Sequence, residues 1–171
     1  MIIKQLHLGL LLVVFATTSY AVTPADPQRL DEVVARGVHV MPFDLDKTQH
    51  IFSKTENGGI QQVIAKDAAD SAQIALIREH LSALAARFDE GDFSSPMRIH
   101  GDTMPGVQDL QAGFKRIQFT YRELSNGAEI AYVSTNPKLI AAIHQYFDAQ
   151  LSDHARHAIP GGHSQHHGHH P

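Results

Sequence analysis

At 171 residues, with 43% apolar and 19% charged side chains, the chain suits one folded domain and is too apolar to be generally disordered. Lys and Arg total 14 against 18 Asp and Glu, a net charge of -4, which excludes the basic footprint of a nucleic-acid binder. The absence of cysteine excludes disulfides, thiolate metal sites, thiol catalysis and a lipidated-cysteine anchor, and thirteen histidines become the unusual feature.

Residues 1–21 predict a cleaved signal peptide. Lys4 forms the basic start, Leu8–Ala16 the apolar run, and Ser19-Tyr20-Ala21 ends in small residues at the positions a signal peptidase reads. The apolar run is about half of the ~20 residues needed to cross a bilayer. The expected product is Val22–Pro171, periplasmic or secreted and not embedded in a membrane. Next, Asp26-Pro27 caps a short helix with Leu30, Val33 and Val34 on one face, stopped by Gly37. Val38–Met41 is expected to be extended.

Residues 50–66 place two β-prone runs around Asn57-Gly58, a hairpin signal in which both turn residues take positive φ. Asp67 or Asp70 caps a helix to about Phe88, with Ile74, Ile77, Leu81, Leu84 and Phe88 in one buried stripe. His80 flanks that stripe. A polar connector, 90–113, leads to a second hairpin over 114–135, where Ile117, Phe119 and Tyr121 alternate on one strand and Ile130 and Tyr132 on the other, around Asn126-Gly127. Asn136-Pro137 opens a last helix running to about Ala158. The expected fold is α+β: a four-stranded antiparallel sheet from two Asn-Gly hairpins, covered by two helices in the order ββα-ββα, after a short N-terminal helix. One α+β domain is expected over 22–158, and a disordered His-rich tail over 159–171.

The chain carries no G-x-S-x-G elbow, phosphate-cradling glycine loop, G-x-G-x-x-G or H-E-x-x-H, so no catalytic motif is read from it. Its histidines fall into three groups. The tail holds His163, His166, His167, His169 and His170 among Gly, Ser and Gln, a set that suits Cu(II), Ni(II) or Zn(II), with copper favoured by the usual affinity order. His154 and His157, three apart, are expected to share one face of the last helix, with Asp153 either orienting His157 or forming a plain helix ion pair. His144 and Asp148 form an i, i+4 pair. The third group mixes imidazole with thioether: His39-Val40-Met41, His50, and His100 with Met104. In a chain without cysteine this is the soft ligand set for copper. Met41 and Met104 both precede Pro and also read as packing residues. The candidate metal ligands are therefore His50, His100, Met104, His154 and His157, with the five tail histidines.

MPFDLDKTQHIF (41–52), GDFSSPMRIHGDTMPG (91–106) and AIHQYFDAQLSDHARHA (142–158) resemble the recurring blocks of short exported bacterial proteins. The resemblance covers about residues 41–158, and some of those proteins carry the label aspartate carbamoyltransferase. That enzyme's S-T-R-T and H-P-x-Q strings are absent here. The resemblance implies export, and it places His50, His100, Met104, His144, Asp153 and His154 inside recurring blocks, with the tail outside them. The sequence as a whole reads as an exported transition-metal-binding protein, copper first and zinc or nickel next, working as a buffer, chaperone or sensor. The alternatives are an exported module for a small ligand or partner, and an exported enzyme whose catalytic residues are distant in sequence.

Overall fold

A computed structural model describes residues 22–162. Helix α1 (Pro27–Gly37) starts as its sequence requires, with the Asp26 carboxylate accepting from Arg29 N at 3.0 Å, and it buries Leu30 and Val33. The next four residues are a turn and not the expected extended run. The N–H groups of Val38, His39, Val40 and Met41 all bond back to carbonyls of Val34, Arg36 and Gly37, so they have nothing left to give a ladder.

Strands β1 (Thr48–Thr55) and β2 (Gly58–Ala65) form the first hairpin, and β3 (Gln118–Leu124) and β4 (Gly127–Val133) the second. The turns sit one residue earlier than Asn-Gly logic places them. Thr55 pairs with Gly58 and Leu124 with Gly127, so the loops are Glu56-Asn57 and Ser125-Asn126, and no residue other than glycine takes positive φ among the described residues. The two glycines serve the neighbouring hairpin. A Cβ on Gly58 would lie 1.9 Å from Tyr132 O, and one on Gly127 2.1 Å from Val63 O, where β2 and β4 run antiparallel and join the hairpins.

The fold is α+β, but the sheet is five-stranded and mixed, in the order β3-β4-β2-β1-β5. Helix α2 (Ser71–Asp89), capped by Asp70, buries the predicted stripe against β2, β3 and β4. The connector is not a polar loop. It holds α3 (Ser94–His100) and α4 (Val107–Gly113), and Phe93, Ile99, Val107 and Leu110 are buried. Helix α5 (Pro137–Asp153) lies over β1 and β2 and stops about five residues before the predicted end. His157 N and Ala158 N both bond to His154 O, which turns the chain. Ala158–Pro160 then forms β5, parallel to β1, so the first residues assigned to the tail belong to the sheet.

The core between the sheet and helices α2 and α5 is aromatic. Phe147 meets Phe52 and Tyr132, each at 5.2 Å between ring centroids, and Phe88 stacks on Phe93 at 4.4 Å. Among the described residues no helix is long and apolar enough to cross a membrane. Phe147→Ala should lower the unfolding free energy by about 3–5 kcal/mol, because a fully buried ring is lost from a core that closes only partly. Urea unfolding at neutral pH measures it.

Candidate functional site

Alternation along β1 turns Thr48, His50 and Phe52 toward the helices, and His50 is buried. His100 ends α3, and His154 follows the last turn of α5 on the face carrying Phe147 and Gln150. Three imidazoles, separated by up to 104 positions in sequence, therefore meet. His154 stacks on His50 with nearly parallel rings, 5.6 Å apart at a 4° interplanar angle, and stands edge-on to His100 at 4.8 Å and 85°.

Asp153 fixes the chemistry of this group. Its Oδ2 lies 2.8 Å from His100 Nδ1 and its carboxylate also accepts twice from the Arg29 guanidinium, at 2.5 and 3.2 Å. Arg29 further donates to His100 O at 2.8 Å, so α1 clamps both partners. Burial alone would raise the Asp153 pKa, but the hydrogen bonds from His100 and Arg29 lower it to about 2. The carboxylate is thus an acceptor at neutral pH, His100 Nδ1 carries a proton, and His100 Nε2 presents a lone pair. His154 Nε2 lies 3.2 Å from that lone pair and donates to it.

Burial holds these rings neutral. It lowers the His100 pKa against the opposing pull of Asp153, and lowers that of His154 well below 6.5, with His100 and His50 adding to the effect. The His50 pKa falls to about 4, through burial first and then its imidazole neighbours. His50 Nδ1 and His154 Nδ1 are buried without a hydrogen-bond partner, as is His157 Nδ1.

Beside the rings is a cavity of about 40 Å³, room for roughly one water molecule. His50, His80, His100, His154 and Met41 line it, with Gln61, Tyr146 and Gln150 at its polar side. Tyr132 donates to Gln61 at 2.6 Å and Gln150 to Tyr146 at 2.9 Å, which fixes that wall. Phe43 separates His80 from His50, its ring 5.5 Å from one and 5.8 Å from the other.

Of the residues singled out in the sequence, His50, His100 and His154 come together. Met104 does not join them in the cavity: it is buried beside a different groove, on the outer side of His100, with Thr103 and Pro105. His157 shares no helical face with His154, because α5 has already ended, and its Nδ1 lies 3.8 Å from Asp46. Asp153 orients His100 and not His157. His144 Nε2 lies 2.9 and 3.0 Å from the carbonyls of Gly58 and Thr55, binding α5 to the first hairpin, while Asp148 pairs with Lys54. His39 is exposed in the turn after α1. The tail residues His163, His166, His167, His169 and His170 lie outside the described residues.

Arg29 and His80 belong to the site although neither is among the candidates the sequence offers. His80 had a weak signal, three after Ile77 and four before Leu84, whereas a lone Arg on a polar helix face has none. Among the described residues no three His, Asp or Glu side chains form a group able to hold a metal ion. The cluster offers two converging imidazole nitrogens, one of them oriented by a carboxylate. No protein family, curated protein or solved structure matched the chain.

Arg29→Met should cost about 2 kcal/mol in urea unfolding, the scale of hydrogen bonds to a charged group, and should raise the Asp153 pKa from about 2 as seen by NMR titration. His50 and His80 both stay neutral in the folded chain down to about pH 4, while the unfolded chain protonates them below 6.5. The unfolded state therefore binds more protons in that window, and stability falls as pH drops from 6.5 to 4. His80→Gln should flatten this slope in denaturant titrations of the metal-free protein.

Proposed function

We propose that the protein is an exported transition-metal binder, with copper favoured, whose folded site is the His100–His154 pair. The observation that supports this reading is the 3.2 Å separation of two buried Nε2 atoms. Two imidazoles bound to one tetrahedral ion at ~2.0–2.1 Å would hold their nitrogens about 3.3 Å apart. For an ion to take that place, the His154 proton would pass from Nε2 to Nδ1, which has no hydrogen-bond partner, leaving both Nε2 lone pairs free once the rings turn toward the ion. The Asp153–His100 hydrogen bond is the carboxylate–imidazole arrangement that orients metal-binding histidines and strengthens their donor nitrogen. His50, stacked on His154, limits that ring's rotation.

With only two imidazoles converging, the site suits reversible holding better than permanent structural binding, which supports a buffer, chaperone or sensor role. The five tail histidines would capture ions more loosely. Export rests on the Met1–Ala21 pattern.

Calorimetric titrations with copper in both oxidation states and with zinc test the reading on the full chain and on a variant with all five tail histidines changed to Gln. The tail variant should keep one copper ion per chain, and His100→Asn or His154→Asn should weaken it by at least about a hundredfold, since even a residue behind a ligand is worth up to that much. Binding that disappears with the tail histidines would remove the folded site and leave the domain as a small-ligand module, with the groove beside Met104 as its first candidate pocket.

A further inference from the structure

We infer that the ion held in the cavity is copper(I), and that Met41 supplies the thioether completing its coordination. This rests on the His100–His154 reading above and gives it an oxidation state and a third ligand.

The cavity carries no charged side chain: its lining contains no Asp, Glu, Lys or Arg. The nearest carboxylate, Asp153, lies behind His100 and is neutralised by Arg29. A divalent ion would therefore enter a small space lined by neutral polar and apolar side chains, with no anionic ligand. The desolvation penalty of an ion grows with the square of its charge, so a monovalent ion faces about a quarter of that cost. Copper(I) is monovalent, binds imidazole and thioether, and accepts a low coordination number.

The donors point the same way. His50 is the third imidazole of the cluster, but its ring lies parallel to that of His154 and stacked on it. In-plane lone pairs of stacked parallel rings do not converge on one ion. Met41 is the one sulfur-bearing side chain lining the cavity. Its position is specified locally: its backbone N–H bonds to Gly37 O at 2.8 Å, and its methyl packs where a Cβ on Gly37 would come within 2.7 Å. The side chain is buried, and its three flexible torsions let the sulfur adjust to an ion without moving the backbone. Met104, the thioether favoured by sequence spacing, faces the groove on the other side of His100.

The test uses the full chain with the five tail histidines changed to Gln, kept anaerobic and reduced, and copper(I) delivered in competition with bathocuproine disulfonate. One copper(I) per chain is expected. Met41→Leu, a near-isosteric change, should weaken it by about tenfold or more while Met104→Leu leaves it unchanged. Copper X-ray absorption should show one sulfur neighbour that is missing in Met41→Leu. Should Met41→Leu fold poorly, selenomethionine labelling of the Met97→Leu, Met104→Leu double variant, taken as the product cleaved after Ala21 so that Met1 is removed, keeps the question decidable, since selenium beside copper then identifies Met41. Equal copper(I) affinity in Met41→Leu, or no selenium neighbour, overturns the Met41 assignment. In that case loss of binding in His100→Asn and His154→Asn still upholds the metal site. Copper(I) binding that is absent from the parent, or survives both histidine changes, overturns the site and the Met41 assignment together.

Discussion

The site depends on one half-buried ion pair. Arg29 from α1 holds Asp153 at the end of α5 and, through the same guanidinium, the backbone carbonyl of His100 at the end of α3. Three helix ends that share no sheet ladder are thereby fixed to one another. The consequence is chemical as well as mechanical. With its charge balanced by Arg29, Asp153 remains a carboxylate at neutral pH and settles which nitrogen of His100 carries the proton. The free Nε2 lone pair, and with it the contact to His154, follows from that one assignment. An aspartate without its arginine would be a poorly compensated carboxylate, and the His100 carbonyl would lose its guanidinium donor.

Around this pair the protein keeps several imidazoles in surroundings that disfavour their charged form. A core built for stability alone would fill such positions with apolar side chains. Here His50 and His154 each retain a buried ring nitrogen with no partner, a cost of the order of 1–3 kcal/mol for each such atom. The aromatic core formed by Phe52, Tyr132, Phe147, Phe88 and Phe93 is large enough to carry that cost. The His50 and His154 rings both line the small cavity, so this cost falls beside the His100–His154 contact. Their neutrality leaves each ring one nitrogen lone pair, which a protonated imidazole lacks.

Much of the scaffold was legible because its signals are local. The stripe Ile74, Ile77, Leu81, Leu84, Phe88 follows from helical periodicity, and the Asp26, Asp70 and Asn136 caps mark helix starts through hydrogen bonds made within three residues. The Asn-Gly pairs located both hairpins correctly, yet for a different reason from the one that makes them a hairpin signal. Gly58 and Gly127 are needed where each strand passes close to the backbone of the other hairpin, a contact between segments some seventy residues apart. The connector misled by composition: its Gly, Pro and Asp residues suggest a loop, while Phe93, Ile99, Val107 and Leu110, too few and too scattered to show a period, drop into the core. β5 escaped notice because a three-residue strand has no alternation to read, and its pairing partner is β1, about a hundred residues earlier.

The sequence by itself determined the element types, the two hairpins, the apolar faces and the residue chemistry from which any site would be made. It singled out His50, His100, His154 and Asp153, since imidazole and carboxylate stand out in any chain. Tertiary structure alone decided which of them meet. It brought His100 to His154 and Asp153 to His100, moved Met104 to the far side and put Met41 and His80 in the cavity instead. The reason is geometric. Side chains on one helix or strand are related by a fixed period, whereas residues on β1, α3 and α5 are related only by how the sheet and helices pack, and no spacing along the chain encodes that distance.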